Sequence, residues 1–305
     1  MMKITSLLQK VFLAVHGLIN RSVTWSRVYF YFLGSILRRF PDGPFKHRAL
    51  QSLRAVQWPL FPLAARKVDV GGISLKIVPH FGEFDFDVFL LHSLTYESET
   101  FAYMKSLEKN YDAIVEIGAN VGVFTLFLAT HFKNATVFAF EPSRKAYLRL
   151  LENIRLNSLS NCYPFNAAVS NQMGVVSFFE PARHLVNGSL IRQFAEIFSD
   201  QISETKALSV DGTFLEKMLK EFGRVLIKID AEGADVEVLK TLMGFIREKK
   251  PDILIECLDI TENDLNALNM SETYIFYELT TEGPLLCQRF KAKKEETTNF
   301  FLTPK

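Results

Sequence analysis

The sequence has little cysteine and no long apolar run near its N-terminus. Its three cysteines, Cys162, Cys257 and Cys287, lie far apart without CxxC spacing, which favours a reducing, cytoplasmic compartment over a secreted disulfide framework. The six histidines form no HxxxH or His/Cys cluster, so we expect no zinc site. The apolar runs at 11–19 and 28–37 are shorter than the roughly 20 residues that a membrane span needs. We therefore expect no transmembrane helix.

Acidic residues are almost absent from the first part of the chain. Residues 1–68 hold eleven Lys and Arg and a single acidic residue, Asp42, which gives +10 there and −9 over the remaining 237 residues. The acidic remainder argues against nucleic acid as a partner. The chain therefore consists of a basic arm on an acidic body.

A helix over residues 5–20 would place Leu8, Phe12 and Val15 on one face and its lysines on another. Such a basic amphipathic helix either docks on the protein's own domain or binds an anionic membrane surface. Both interpretations stay open, and peripheral membrane contact through residues 1–57 is one of them.

From residue 111 onward, short β-rich apolar runs alternate with segments of helical period, a pattern typical of a parallel sheet covered by helices on both faces. The sequence predicts strands at 113–117, 136–140, 163–169, 225–230, 253–257, 175–179, 275–279 and 300–303, and helices at 121–131, 143–157, 211–222 and 234–248. A hairpin is predicted at 69–80, with Gly71 and Gly72 as its turn.

The chain shows no internal repeat and no low-complexity segment. We therefore divide it into a basic, apolar helical extension at 1–65 and one domain at 66–305. The cofactor-binding core of that domain is expected at 95–258.

The most informative segment is a strand that ends in a glycine turn at the start of a helix, Glu116-x-Gly118-x-Asn120-x-Gly122. Glycine lets the backbone approach a ligand closely, and the turn exposes amide donors where the helix begins. A dinucleotide fingerprint would need glycines where the sequence has Asn120 and Val123. The loop therefore disfavours NAD and suits a smaller, positively charged ligand, such as a sulfonium amino acid joined to adenosine.

An acidic residue closes the next predicted strand. Glu141 stands 19 residues after Gly122 and directly before Pro142. A carboxylate at this place can accept hydrogen bonds from both hydroxyls of a ribose. A Glu before a Pro is by itself typical of a helix start. Because Glu141 follows the glycine loop, we expect it to bind the ribose as well.

Further ordered blocks accompany these two motifs. They are YESET (96–100), VEIGANVGVFTL (115–126), FEP (140–142), NAAVSN (166–171), NGSL (187–190), LIKIDAEGADVEVLKTL (226–242), ILIE (253–256) and NFFLTP (299–304). Together they resemble the FkbM family of S-adenosylmethionine-dependent methyltransferases, over about residues 95–305. The resemblance implies an α/β class I methyltransferase (Rossmann-like) fold: seven mostly parallel strands, the last one antiparallel, with helices on both faces. It also implies S-adenosyl-L-methionine as the cofactor.

The resemblance further implies which residues line the cofactor pocket. They are Glu116, Gly118, Asn120, Gly122 and Glu141, with Glu97 and Ala168 as weaker candidates. The family usually has aspartate where Glu116 stands. The exchange keeps the charge and lengthens the side chain by one methylene, so we expect cofactor binding to survive it.

Charged side chains at the end of the predicted fourth strand form a second candidate site. Ligands of open α/β sheets bind beyond the carboxyl ends of the strands, where Lys228, Asp230 and Glu232 stand. We expect Asp230 and Glu232 to be the catalytic carboxylates, with Asp230 as the candidate general base. Because charge inside an apolar strand costs free energy unless it is paired, Lys228 is expected to form a structural ion pair with Glu256 or Glu237.

Two alternatives stay open around this site. Asp230 and Glu232 could hold a divalent cation that acidifies the acceptor hydroxyl, although two carboxylates at this spacing give a metal little support. The segment Asn187-Gly188-Ser189 either covers the acceptor as a lid or is only a turn.

The expected activity is methyl transfer to a hydroxyl of a sugar, glycan or natural-product-like small molecule, because the family suggests such acceptors. Transfer to nitrogen or carbon is the alternative among enzymes, although no NPPY-like tetrapeptide follows the fourth strand, where IDAE stands. From another class, the chain could be a non-catalytic scaffold that keeps the fold. The sequence leaves the oligomeric state open.

Overall fold

The structure is a computed structural model that describes residues 22–41, 46, 48–50, 53, 63–81, 83, 85–94, 97–182, 187–293 and 298–305. The helix predicted at 5–20 lies outside these residues. The chain divides into two compact units, one within Met1–Asp69 and Lys76–Leu94, the other formed by Val70–Leu75 and Thr95–Lys305. The domain boundary at residue 65 stays a prediction.

The helices and strands are numbered in chain order over the described residues. The helices are α1 Val23–Leu37, α2 Phe86–Leu91, α3 Ser98–Ser106, α4 Val123–His131, α5 Arg144–Leu156, α6 Arg192–Glu196, α7 Gly212–Leu219, α8 Asp235–Lys249 and α9 Glu262–Asn266. The strands are β1 Arg66–Val70, β2 Ile73–Ile77, β3 Ala113–Ile117, β4 Thr136–Phe140, β5 Cys162–Phe165, β6 Ala167–Val169, β7 Gly174–Pro181, β8 Ile202–Val210, β9 Val225–Ile229, β10 Asp252–Cys257, β11 Tyr274–Thr280, β12 Gly283–Cys287 and β13 Thr298–Pro304.

In the first unit, helix α1 packs on helix α2. The ring of Phe30 meets the ring of Phe86 edge-on, with 5.4 Å between centroids. The guanidinium of Arg38 donates a 2.6 Å hydrogen bond to the carbonyl of Leu90, which fixes the end of α1 against α2. None of the helices in the part of the chain that the structure describes is long and apolar enough to cross a membrane.

The predicted hairpin is confirmed, because β1 and β2 pair as a two-stranded sheet. Gly71 and Gly72 form its turn with φ of +55° and +75°, a left-handed conformation that glycine adopts at little cost.

The second unit is built on a sheet of eight strands in the order β12-β11-β13-β10-β9-β3-β4-β5. Strands β10, β9, β3, β4 and β5 run parallel. The C-terminal strand β13 lies between β10 and β11 and is antiparallel to both. This arrangement confirms the expected α/β fold with its antiparallel last strand. Strand β12, which pairs with β11 in a hairpin, adds an eighth strand that was not predicted.

The single strand predicted at 163–169 is wrong. It breaks at Asn166, whose side-chain amide donates to the carbonyl oxygens of Glu141, at 2.8 Å, and Pro142, at 3.1 Å. Beyond the break, β6 leaves the main sheet and joins a second sheet of three strands, β6-β8-β7. Strand β8 was not predicted either.

Helices cover both faces of the main sheet. On one face, Val115 and Ile117 of β3 pack in a core with Leu215 of α7 and Leu239 of α8. On the other, Thr125 of α4 donates a hydrogen bond to Glu116 of β3. Because β10, β9, β3 and β4 run parallel, their carboxyl ends lie together at one edge of the sheet. The candidate site lies at this edge.

Candidate active site

The glycine loop that follows β3 is held against the end of β9. Gly118 has a φ of +84°, and a Cβ at this position would overlap the backbone carbonyl oxygen of Asp230. The amide of Asp230 in turn donates a 3.0 Å hydrogen bond to the carbonyl of Ile117. Glycine is required here because the two strand ends touch through their backbones.

Asn120 and Glu141 join the loop to the end of β4. Asn120 has a left-handed backbone, with a φ of +50°. Its amide donates a 2.7 Å hydrogen bond to one carboxylate oxygen of Glu141, and the amide of Ser143 donates at 2.8 Å to the other. A carboxylate offers about four acceptor positions, so Glu141 keeps acceptor capacity for hydroxyls of a ligand.

Gly122 completes the loop at the start of α4. It has a φ of +92°, and a Cβ here would overlap the side chain of Leu150. Helix α5 therefore packs directly on the loop. Asn153 reinforces the contact, because its amide donates a 2.9 Å hydrogen bond to the carbonyl of Val121.

Glu116 and Glu141 are buried carboxyls whose charge is costly. Burial raises the pKa of Glu116 to about 7, although Lys228 and the hydroxyl of Thr125 act to lower it. Burial also raises the pKa of Glu141 to about 7, against the hydrogen bonds from the amides of Ser143 and Asn120. Both groups would gain from a positively charged ligand nearby.

Lys228 forms its ion pair with a different partner from those expected. Its Nζ lies 2.9 Å from Oδ2 of Asp230, so the predicted pairing with Glu256 or Glu237 is wrong. Glu237 lies instead on α8, where its carboxylate accepts a 3.4 Å hydrogen bond from the amide of Asn171.

The ammonium of Lys228 is buried among carboxylates and above an aromatic ring. It lies 4.5 Å from the centroid of Phe124. Burial acts to lower the pKa of Lys228, but the charges of Asp230, Glu116 and Glu97 raise it above its ordinary value. Lys228 therefore stays charged and holds Asp230 in place.

The turn after β9 carries Glu232 in a left-handed conformation, with a φ of +49°. Asp235 fixes this turn, because its carboxylate accepts hydrogen bonds from the amides of Ala231, at 2.7 Å, and Gly233, at 3.1 Å. Burial and the charges of Asp230 and Asp235 raise the pKa of Glu232 well above its ordinary value. Glu232 is thus a candidate base for chemistry at neutral pH.

Glu256 stands next to Asp230 across the β9–β10 pair, since Ile255 pairs with Ile229. Burial and the neighbouring charges of Asp230 and Glu232 raise the pKa of Glu256 well above its ordinary value. On its other side, Glu256 pairs with Asn299 of β13.

Glu97 reaches the same region from the start of helix α3. Its carboxylate accepts a 3.0 Å hydrogen bond from the side-chain amide of Asn299. Its charge also acts on the pKa values of Glu116, Lys228 and Glu256. The structure therefore brings Glu97 to the acidic strand ends.

Ser189 and Ala168 are both buried in the structure. Ser189 is buried, and its hydroxyl donates a 2.7 Å hydrogen bond to the carbonyl of Glu232. A Cβ on its neighbour Gly188 would crowd the ring of Phe178, while Asn187 is half-buried. The side chain of Ala168 packs in a small apolar cluster with Phe178.

The ammonium of Lys228 interacts with the carboxylates of Asp230, Glu116 and Glu97, and further buried carboxyl groups lie at the same strand ends. Burial is the largest cause of the raised pKa values of Glu116, Glu141, Glu232, Asp235 and Glu256, and neighbouring carboxylates raise them further. Such a site favours a cation and opposes the pyrophosphate of a dinucleotide. The residues present therefore fit a sulfonium nucleoside.

A known protein family matches the segment that contains the candidate site. The family described as the methyltransferase FkbM domain matches residues 116–279, more than half of the chain. The chain belongs to the FkbM methyltransferase family. The match begins at Glu116 and includes the glycine loop, Glu141 and the turn that carries Asp230, so the candidate site lies within the FkbM domain.

Individual relatives and solved structures resemble this chain only distantly. Methyltransferase 1 of Beauveria bassiana is 25% identical over 200 residues, covering 57% of this chain and 79% of that protein. The hexuronic acid methyltransferase AglP of Haloferax volcanii is 25% identical over 198 residues, covering 64% of this chain and 76% of that protein. The solved FkbM methyltransferase of Methylobacillus flagellatus KT aligns with a TM-score of 0.44 and 15% identity over 71% of this chain. This chain spans about half, 52%, of the length of that solved chain.

The described residues give a divalent cation little support. Among residues 22–305, in the parts described above, no three His, Cys, Asp or Glu side chains are grouped to hold a metal ion. One oxygen of Asp230 is already bound to Lys228.

Sequence reasoning missed three positioning residues of the FkbM site. They are Thr125, which binds Glu116; Asp235, which fixes the turn; and Asn299, which binds Glu97. Only Asp235 gives a local signal, an acidic residue at the first position of a helix, five residues after Asp230. The other two come from contacts between elements distant in sequence.

Proposed function

We propose that this FkbM methyltransferase transfers the methyl group of S-adenosylmethionine to a hydroxyl oxygen of a sugar, glycan or natural-product-like acceptor. The observation that carries the proposal is the backbone contact between Gly118 and Asp230. A donor bound at the glycine loop and an acceptor bound beside Asp230 would meet at one edge of the sheet. Alignment of two reactants can contribute about 7 to 11 kcal/mol to a rate.

The cofactor role of the loop rests on Glu141 and the amides around it. S-Adenosylmethionine, when bound, supplies a methyl carbon activated by a positive sulfur. We assign the ribose hydroxyls to Glu141, which has acceptor capacity beyond its two backbone hydrogen bonds. Gly118, Asn120 and Gly122 would let the backbone approach the nucleoside, and Glu116 would offset part of its charge.

Asp230 is the proposed acceptor of the hydroxyl proton. In the reaction, the carbon–sulfur bond breaks as a carbon–oxygen bond forms, and the acceptor oxygen gives up its proton. The products are a methyl ether and S-adenosylhomocysteine. Lys228 holds Oδ2 of Asp230, which leaves Oδ1 to bind the hydroxyl. A general base contributes about 10²- to 10⁴-fold to a rate.

Three further proposals concern the acceptor, the cell compartment and the loop beside the acceptor. The name of the Haloferax relative, a hexuronic acid methyltransferase, supports a sugar-type acceptor, and we propose no nucleic-acid partner. A cytoplasmic location is supported by the three cysteines, all of which are free. We also propose that Asn187 and Gly188 border the acceptor, with Ser189 anchoring their loop to the Glu232 carbonyl.

Calorimetric titration of the purified full chain with S-adenosylhomocysteine tests the cofactor assignment, with NAD and a Glu141→Ala variant as controls. We expect micromolar binding, weaker binding in the variant and no heat with NAD. Absence of binding by folded protein would leave a non-catalytic scaffold as the better explanation.

The acceptor class is then tested with a donor carrying a labelled methyl group. The enzyme is incubated with uronic acids, neutral oligosaccharides and hydroxylated natural products, and the products are analysed by mass spectrometry. We expect one added CH₂ at a hydroxyl oxygen. Label on nitrogen or carbon would refute O-methylation while keeping the cofactor assignment.

A further inference from the structure

Helix α1 carries apolar side chains on its exposed face. Its inner face buries Phe30, Gly34 and Leu37. Its outer face carries a stripe at the spacing i, i+3, i+7 and i+11: Trp25, Val28, Phe32 and Ile36, which are 66%, 40%, 60% and 49% exposed. A helix on a protein surface normally turns charged and polar residues outward, so this face is suited to a partner.

The stripe has aromatic neighbours. Tyr31, beside Phe32, is 71% exposed, and Phe40, just after the helix, is 45% exposed. The rings of Tyr31 and Phe32 meet edge-on, with 5.6 Å between centroids. Large aromatic side chains with a polar edge are enriched where a protein meets the headgroup region of a bilayer.

Charge favours one kind of partner. The segment 22–41 contains three arginines and no acidic residue. Arg38 binds the carbonyl of Leu90, and Arg39, just after the helix, is exposed on the surface. A basic segment that carries an exposed aromatic helix face complements an anionic lipid surface.

The length of α1 excludes a span and fixes its orientation. Its 15 residues extend about 22 Å at 1.5 Å per residue, less than the roughly 30 Å of a hydrocarbon core. One side of α1 is packed on α2, so only the outer side is available. The helix must therefore lie along a surface.

We propose that α1 docks this protein on an anionic membrane surface, with Trp25, Val28 and Phe32 inserted among the lipid headgroups and Arg39 at the lipid phosphates. The proposal names a surface distinct from the segment 5–20 and does not depend on the methyl-transfer proposal. It would bring the enzyme to membrane-associated acceptors.

Cosedimentation of the full chain with lipid vesicles tests the docking surface. Vesicles of phosphatidylcholine alone are compared with vesicles that also contain phosphatidylglycerol, at low and high salt. We expect binding to the anionic vesicles only, weakened by salt, and at least tenfold weaker for Trp25→Ser/Phe32→Ser. The matched control, Leu148→Ser/Met173→Ser, removes two side chains that are 53% and 60% exposed elsewhere and should bind as the unmodified protein does.

A second measurement locates the helix without changing its exposed face. The chain has two tryptophans, Trp25 and Trp58, so Trp58→Phe leaves Trp25 as the only reporter. Brominated anionic lipids should quench its fluorescence. Lack of quenching, or equal vesicle binding by the serine variant and the control, would overturn the proposal. A concentration-dependent dimer that is lost in Trp25→Ser/Phe32→Ser, without vesicle binding, would instead assign the face to a second copy and likewise overturn it.

Discussion

Lys228 Nζ and Asp230 Oδ2 lie 2.9 Å apart at the carboxyl end of strand β9. The pair lies directly across from Glu116, which is in register with Lys228. One buried ammonium thus offsets part of the negative charge that β3, β9 and β10 bring to this edge. The ion pair connects the stability of the sheet to the orientation of the candidate base.

Lys228→Met is expected to lower the free energy of unfolding by about 3 to 5 kcal/mol, because it leaves buried carboxylates without their cation. Chemical denaturation measures the loss. The double variant Lys228→Met/Asp230→Asn should lose less than the sum of the two single variants, since the second change removes one of the charges left behind. Additive losses would show that the ion pair contributes nothing.

Asp230→Asn is expected to lower kcat by about 10²- to 10⁴-fold, because an amide cannot accept the hydroxyl proton. The affinity for S-adenosylhomocysteine should change little, since the loop contacts residue 230 through its backbone carbonyl. Glu232→Gln serves as the comparison. A larger kcat loss in Glu232→Gln than in Asp230→Asn would transfer the role of base to Glu232.

Glu141→Gln is expected to weaken the binding of S-adenosylhomocysteine roughly tenfold to a hundredfold, because hydrogen bonds to a charged group are worth about 1.5 to 3 kcal/mol. Burial raises the pKa of Glu141 to about 7, and a protonated carboxyl accepts fewer hydrogen bonds. The affinity of the unmodified enzyme should therefore fall as the pH is lowered through about 7. Calorimetry at several pH values should show no such decrease for the glutamine variant, and parallel curves would contradict the assignment.

Gly118→Ala is expected to destabilise the protein by at least about 3 kcal/mol, because the added Cβ overlaps the Asp230 carbonyl and the backbone is left-handed. Gly72→Ala is the matched control. Its φ of +75° is similar, but the Cβ would meet only the flexible end of Lys105. That change should cost about 1 to 2 kcal/mol. Equal losses, measured by thermal unfolding, would show that the contact with Asp230 does not matter.

Glu116→Gln tests the buried charge through the dependence of stability on pH. Burial raises the pKa of Glu116 from 4.5 to about 7. The unfolded chain therefore releases this proton at lower pH than the folded one, and stability is lost as the pH rises through this window. Relative to the unmodified protein, the variant should gain up to about 3 kcal/mol between pH 5 and pH 8. Urea unfolding at both pH values measures the gain, and a pH-independent difference would refute it.

Local sequence patterns predicted the centre of the fold and the cofactor side of the site. Strand β3 was predicted with its observed bounds from a short apolar run in the sequence. The structure shows why the run is apolar, because all five of its residues are buried. The turn at Gly118 and Asn120 was also predicted from its local pattern, although the contacts that fix it come from Asp230 and Glu141, which are distant in sequence. Their roles in binding stay predictions.

Three features of the structure could not be predicted from local sequence patterns. The strand at 163–169 breaks because Asn166 binds two backbone carbonyls of the preceding loop. Strand β8 went unpredicted because most of its side chains are exposed, which resembles a polar loop. Lys228 binds Asp230 rather than Glu256 because the nearer carboxylate, two residues away, is within reach of its long side chain.

The position of β13 has a consequence for biosynthesis. Its residues, 298–304, are made after those of both neighbouring strands, yet they pair with β10 on one side and β11 on the other. A nascent chain that has emerged only as far as β12 therefore holds two apolar strands with unpaired edges, which are sites of aggregation. The main sheet can therefore close only after residues 298–304 have left the ribosome.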